Sequence, residues 1–309
     1  MPQATREIKR RIRSIKSTRQ ITKAMELVSA AKMRRAVANT LMSRSYSDLA
    51  WQLVLELKRR VSEAEQPLLT PRENIKRVAV LVVSSNRGLC GGFNNQLTHK
   101  VINYIKQSLQ AEAKPEAVEL VTLGKRGRDI LLRQGFNLAA EFVKQDITTK
   151  LSEILPVVEL LINDYLSGRY DKVVLAYTDF ISPLVQKPRL KQLLPIDLTP
   201  DPYLGVSQSK PPAAPEVKHN FGEYEYLFEP STSEVLGELL PRLLEVQIYQ
   251  AVLESDAAEH SARMMSMRNA SEAAKDMVDA LTLAFNQARQ ASITSELADI
   301  TGGRAAVGG

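Results

Sequence analysis

The sequence predicts an α/β protein of unusual proportions. Two long helices, one at each end, pair as an antiparallel coiled coil beside a small domain with a largely parallel sheet. Three observations carry this reading. Met264, Met267, Ser271, Ala274, Val278, Leu281, Phe285, Ala288, Ser292, Ser295 and Asp299 recur at alternating steps of three and four, the seam of a helix lying against another helix. Residues 3–63 contain neither Gly nor Pro and many good helix formers. Between these ends, short apolar runs alternate with helical patterns, the texture of a parallel sheet covered by helices.

Taken in order, the first helix carries three stripes. Ile8, Ile12 and Ile15 form one, and Ile21, Met25 and Val28 form a second, rotated from the first. Met42, Tyr46, Leu49, Leu53, Leu57 and Val61 form the third and strongest. Small side chains at Ser29, Ala30 and Ala31 permit a partner helix to approach closely. Pro67 and Pro71 end this helix. Val78 to Ser84 reads as a buried strand, followed by a glycine-rich turn from Ser85 to Phe93 and a helix to about Leu109. Val118 to Leu123 is a second strand, followed by Gly124-Lys125-Arg126-Gly127 and a short helix to Gln134. Residues 149–167 read as a helix, Val173 to Tyr177 and Leu190 to Leu194 as strands. Residues 197–222 hold Pro200, Pro202, Pro211, Pro212 and Pro215 and read as an irregular loop. Tyr224 to Phe228 reads as a short edge strand, and Ser231-Thr232-Ser233-Glu234 supplies caps for a helical lead-in. The last helix runs from about Pro241 to Ile300, roughly 90 Å at ~1.5 Å per residue. The expected domains are therefore 1–66, an N-terminal coiled-coil helix; 67–230, a Rossmann-like α/β domain with the loop 197–222; and 231–309, a C-terminal coiled-coil helix.

The seam of the last helix changes along its length. It starts with methionines, passes through Val278, Leu281 and Phe285, and ends in Ala, Ser and Asp. That end grips a permanent partner poorly and suits a helix enclosed by, or moving against, something else. The net charge of +6 is equally uneven. Residues 1–35 hold eleven Lys and Arg against Glu7 and Glu26, so this stretch carries +9 and the other 274 residues sum to −3. Arg6, Lys9, Arg10 and Arg13 would cover one broad helical face. Such a face suits nucleic acid, acidic protein loops or anionic headgroups. No aromatic residues interleave with the basic ones, and Ile8, Ile12 and Ile15 are committed to packing. No apolar run is long enough to span a bilayer, the N-terminus lacks the apolar segment of a secretory signal, and one cysteine, Cys90, fits a reducing compartment.

The motifs that could carry chemistry are weak. Gly88 to Gly92 lies between a strand and a helix, where phosphate loops sit, but Gly-x-x-Gly-Gly fits neither the dinucleotide fingerprint nor a Walker loop. A tight turn with close helix–strand packing is the structural alternative. Basic residues in Gly124 to Gly127 could hold an anion at a helix start, or simply be solvated. His99, His219 and His260 make no metal spacing with each other or with Cys90. His260 reads as surface or interface. No catalytic set stands out.

Three separated stretches resemble the γ subunit family of F-type ATP synthases, and the likeness runs along essentially the whole chain. Ile8-Lys9-Arg10-Arg11-Ile12, Ile21 to Val28 and Ala31-Lys32-Met33 look like the family's opening helix. Arg87 to Asn94 matches its central turn, with Asn86 where the family usually has Asp. Ala288 to Ile300 is close to the C-terminal signature, which here continues Gly303-Arg304 in place of Gly-Ala. The resemblance implies a non-catalytic rotor shaft, without cofactor or metal. Its paired helices would sit inside a ring of α and β subunits, and its α/β domain would rest against the ε subunit and the c-ring. Proton or sodium flow would turn it, at the cytoplasmic face of the cell membrane. Membrane contact would come only through the complex, and no nucleic acid is implied. Leu190 to Pro195 leads straight into the Pro-rich loop with no cysteine pair, so a chloroplast-type thiol switch is not expected. By family analogy, Lys23, Met25 and Arg35 on the first helix, and Phe285, Arg289, Gln290, Thr294 and Glu296 on the last, are the subunit-interface candidates.

Overall fold

The computed structural model describes residues 3–58, 66–110, 117–197 and 231–307; within these, the side chains at 3–4, 44–48, 51–58, 108–110, 232–233, 299 and 302–307 are outside the description. The expected edge strand at Tyr224 to Phe228, the Pro-rich loop beyond Asp197, and the stripe positions Tyr46, Leu53, Leu57 and Val61 therefore lie outside the described residues or side chains.

Both terminal helices are present. Helix α1 runs Gln3–Lys58 and α5 runs Thr232–Val307, 56 and 76 residues long. Helix α5 starts earlier than its sequence suggested. Ser231 caps it, its Oγ accepting the Glu234 N–H at 3.2 Å. Pro241 sits inside the helix, where its missing N–H costs one ladder bond without ending it.

Between them lie strands β1 (Arg77–Val83), β2 (Ala117–Leu123), β3 (Asn137–Phe142), β4 (Lys172–Ser182) and β5 (Val185–Leu194), with helices α2 (Phe93–Gln110), α3 (Lys125–Arg133) and α4 (Leu155–Leu166). The sheet order is β3-β2-β1-β4-β5, parallel except for the β4–β5 hairpin. Strand β1 shows why the sheet is central. Six of its seven residues are buried. Val78, Val80 and Val82 face α2 and α3 through Leu97, Val101, Ile105 and Leu131. Ala79, Leu81 and Val83 face the opposite core, with Val157 and Leu161 of α4 and Leu236, Leu240, Leu243, Leu244, Ile248 and Val252 of α5. The period of two thus serves both faces of one strand.

Three sequence expectations are corrected. Strand β3 was missed, because Asn-Leu-Ala-Ala-Glu-Phe has little β-propensity and sits at the sheet edge. Strand β4 continues five residues past Tyr177, since Thr178 and Asp179 are buried and Asp179 accepts from Arg189 Nε of β5 at 2.6 Å. Pro156 divides the expected 149–167 helix into a 3₁₀ turn at Leu151–Glu153 and α4.

The chain packs as two compact units, Met1–Ser29 with Arg263–Gly309, and Ala30–Ala262. The only described elements in the first unit are parts of α1 and α5, so the covered seam of each lies on the other. On α5 the expected seam is observed as far as Ser292; Ser295 is exposed, and Asp299 lies outside the described side chains. Met267, Ser271, Ala274 and Val278 are buried, and Met264, Leu281, Phe285, Ala288 and Ser292 are half-buried. On α1 the stripes are corrected. Ile8, Ile12 and Ile15 are covered, but the seam continues at the same alternation through Thr22, Glu26 and Ser29, and on through Met33, Ala36, Thr40 and Ser43. Ile21, Val28 and Met42 are 57%, 56% and 81% exposed. Apart from the exposed turn at Thr18 and Arg19, one heptad phase is kept and outweighs the local hydrophobicity, because a helix that rotated its stripe would lose its partner.

In the second unit the direction of pairing is explicit. Ser43 Oγ donates to Gln250 Oε1 at 2.5 Å, whereas Lys32 and His260 both reach Asp146. Numbers rise along α1 as they fall along α5, so the helices are antiparallel.

Candidate functional site

Every interface candidate but one lies in the helical unit. Lys23 is exposed and its Nζ reaches Glu26 at 3.0 Å. Met25 is half-buried beside it. Phe285 is a half-buried member of the seam. Arg289, Gln290, Thr294 and Glu296 are all exposed, off the seam that Ala288 and Ser292 mark. The Thr294 hydroxyl donates to the Gln290 carbonyl at 3.0 Å and Glu296 accepts from Ser292 at 3.4 Å, so both are already oriented along the helix. Arg35 is exposed and belongs to the other unit. The basic side chains Arg6, Lys9, Arg10 and Arg13 are exposed too.

The two glycine turns are packing devices. In doubly wound sheets, ligands sit beyond the carboxyl ends of the strands. Here that place is filled by the chain itself. The first three amides of α3 are taken: Lys125 N–H by Asn86 Oδ1, Arg126 N–H by the Ser85 carbonyl, and Gly127 N–H by Ser84 Oγ, at 3.4, 2.9 and 3.0 Å. No donor in that first turn is left for a phosphate. A Cβ at Gly127 would lie 2.6 Å from Ser84 Oγ, and one at Gly124, where φ is 108°, would lie 2.2 Å from the Ser84 carbonyl oxygen. The Gly88 to Gly92 turn closes on Asn94, whose Oδ1 accepts from Ser85 N–H at 3.1 Å and whose Nδ2 donates to Ser85 Oγ at 2.7 Å. Cys90 is buried against Phe93 and Ala258. Among the described residues no cluster of His, Cys, Asp and Glu could hold a metal ion, and no helix is long and apolar enough to cross a membrane.

A polar cluster that sequence reasoning missed lies where α5 is enclosed. From Val246 to Ser261 every residue of α5 except Tyr249 is buried. His260, expected at a surface or interface, is 2% exposed, and its Nε2 donates to the Asp146 carbonyl at 2.7 Å. Lys144 Nζ lies 2.7 Å from both Asp256 Oδ1 and Glu259 Oε2. Burial alone would pull the lysine down; the two carboxylates outweigh it and hold the ammonium above its ordinary value. Burial is also the largest influence on Asp256 and pushes it up, against the pull of Lys144 and of the Thr148 N–H that it accepts at 2.8 Å. A cavity of about 80 Å³ opens beside this cluster, lined by Leu123, Val143, Lys144, Gln145, Thr148, Glu153 and Ile154. The available signal was weak. Glu254, Asp256, Glu259 and His260 crowd within seven residues, but a lone lysine in a loop gives no period to match them.

The chain thus combines long paired helices with an α/β fold in which the first turn of α3 is occupied by the protein's own groups. A family model described as ATP synthase matches residues 4–307. The chain is 45% identical over 306 residues to the ATP synthase gamma chain of Chloroflexus aurantiacus, covering 98% of this chain and 99% of that protein. It is 44% identical over 305 residues to that of Roseiflexus castenholzii, with 98% of each covered. Among solved structures it matches two of the Euglena gracilis mitochondrial ATP synthase. One is described as the rotor in rotational state 1 (TM-score 0.60, 13% identity, 94% of this chain and 99% of that one). The other is described as OSCP/F1/c-ring in rotational state 3 (TM-score 0.64, 15% identity, 98% and 94%). The chain belongs to the ATP synthase gamma chain family.

Proposed function

We propose that this chain is the central-stalk rotor of an F-type ATP synthase and has no catalytic role of its own. The observation that carries this is the form of the α5 end of the helical unit. Past Phe285, only Ala288 and Ser292 are even half-covered among the described side chains, while Arg289, Gln290, Thr294 and Glu296 stand exposed. A surface of this kind suits a shaft turning within a sleeve of other subunits. Ile293, Leu297 and Ile300 are exposed among them and offer apolar contacts to the same sleeve. The exposed polar residues, with Lys23, Met25, Arg35 and Phe285, are the proposed contacts with β-subunit loops. Charge-assisted contacts made in one rotary position and broken in the next would raise and lower β affinity in turn. In this reading the arms, 1–66 and 231–309, would meet the α and β subunits, and the α/β domain, 67–230, the ε subunit and the c-ring. The complex would place the chain peripherally at the cytoplasmic face of the cell membrane, driven by protons or sodium ions.

The test is reconstitution. The purified chain hydrolyses no ATP, yet its addition to a mixture of nucleotide-binding α and β subunits restores hydrolysis. Failure to join them, or tight and sequence-selective DNA binding at physiological salt, overturns the reading.

A further inference from the structure

The connection from β3 to the 3₁₀ turn, residues 143–150, has no regular structure, yet Lys144 and Thr148 within it are 3% and 2% exposed. Connections usually run over the surface, because a buried loop must find partners for its polar groups. This one finds them on three sides. Toward α5, Lys144 holds Asp256 and Glu259, the Thr148 N–H donates to Asp256 Oδ2 at 2.8 Å, and the Asp146 and Thr149 carbonyls accept from His260 at 2.7 Å and Tyr249 at 3.2 Å. Toward α1, Lys32 Nζ donates to Asp146 Oδ2 at 2.9 Å and Asn39 Nδ2 to the Thr148 carbonyl at 3.4 Å. Toward the turn that follows β1, Asn86 Nδ2 donates to the Lys144 carbonyl at 2.6 Å.

An apolar contact between a helix and a sheet resists separation but has no preferred rotational setting beyond its packing. Directional, charge-assisted bonds do. Buried ion clusters add little net stability and are best attested as devices that fix register. The cluster also stands where α5 is enclosed on all sides, so a turn of the helix about its axis would break several of these bonds together.

We propose that the 143–150 strap is the torsional lock of this rotor, fixing the rotational setting of α1 and α5 against the sheet through Lys144, Asp146 and their partners. This rests on the central-stalk reading. A torque applied to the sheet is passed to the helix pair through the strap, and weakening the strap makes the shaft more compliant without altering its surfaces.

The experiment uses the assembled complex with its α and β subunits fixed and a bead carried by the c-ring. Angular variance of the bead varies inversely with shaft stiffness. In Lys144→Met, loss of the central anchor raises it roughly twofold, and Lys144→Arg restores most of the stiffness. Lys32→Ala and Asp146→Asn, at side chains that are 32% and 45% exposed, each give a smaller rise. A merely structural role lowers assembly yield or melting temperature but leaves the variance of assembled complexes unchanged. Unchanged variance in assembled Lys144→Met overturns the lock. If that variant does not assemble, unchanged variance in both Lys32→Ala and Asp146→Asn overturns it. Failure of the native chain to assemble is a different result and removes the central-stalk reading itself.

Discussion

Ser84 sits where β1 meets α3, and substitutions at the two glycines facing it give a prediction that can be worked through. Ser84 is fully buried; its Oγ donates to the Gly124 carbonyl and accepts from Gly127 N–H, both at 3.0 Å. In Gly127→Ala the new methyl group meets the Ser84 side chain at 2.6 and 2.7 Å, and the serine, held by two bonds, must move. Overpacking of this kind costs about 1–3 kcal/mol. In Gly124→Ala the clash is with the Ser84 backbone oxygen at 2.2 Å, and φ of 108° is itself unfavourable for alanine. The strained φ alone costs about 1–3 kcal/mol, and displacement of the Ser84 carbonyl adds to it. The assay is urea unfolding of each variant alone and combined with Ser84→Gly. The serine deletion removes the atoms that Gly127→Ala strikes, so the pair should couple favourably by at least about 1 kcal/mol. It leaves the backbone oxygen in place, so coupling with Gly124→Ala should stay within about 0.5 kcal/mol. Equal coupling in both cycles, or a Gly127→Ala variant as stable as the native chain, refutes the packing account of this turn.

Further outcomes follow from other elements. Asp171 accepts from the N–H groups of Lys76 and Arg77 at 2.8 and 2.9 Å and from Arg72 at 3.1 Å. Burial raises its carboxyl, but these donors outweigh it and hold it below the usual value. Its contribution is therefore full above the unfolded-state pKa of about 4 and is lost as pH falls through the lower folded value. Asp171→Asn should cost about 1–3 kcal/mol at neutral pH and flatten the acid limb of a stability–pH profile; an unchanged limb refutes the assignment. Ala36→Leu, at a fully buried seam position, should destabilise by about 1–3 kcal/mol, whereas Met42→Ala, at an 81% exposed one, should change thermal stability by less than about 0.5 kcal/mol. The reverse ranking would restore the rotated stripe. Leu281→Pro should break α5 in mid-seam at a cost of about 3 kcal/mol or more, abolishing assembly or coupled synthesis; intact coupling would contradict the continuous helix. Deletion of residues after Ile300 should be milder by the same assay.

The long-range architecture was legible because the features that specify it are periodic. The seam of α5 emerged at the expected positions from Met264 to Ser292. Strand β1 was visible as a pure aliphatic run. What failed did so for physical reasons. On α1, hydrophobicity pointed to Ile21, Val28 and Met42, but the phase set by Ile8 and Ile12 carried the seam through Thr22, Ser29 and Thr40. A small or polar side chain fits between closely approaching helices, and an exposed apolar one costs the free chain little. Strand β3 was too weak in propensity to be seen, and β4 was cut short because Asp179 gave no hint of its partner Arg189. The buried cluster around Lys144 was invisible because its members come from a loop and a helix more than a hundred residues apart. Only folding brings them into register.

The sheet's second core has a consequence for how the protein is made. Leu81, Val83, Val121 and Leu175 are covered in part by Leu236 to Val252, which the ribosome delivers some sixty residues or more after the last of those strands' side chains. A nascent chain must therefore hold the part of this face that α4 does not cover open to solvent until α5 emerges. During that interval the growing polypeptide is at its most adhesive. Native packing arrives only when the closing helix folds down as the final lid.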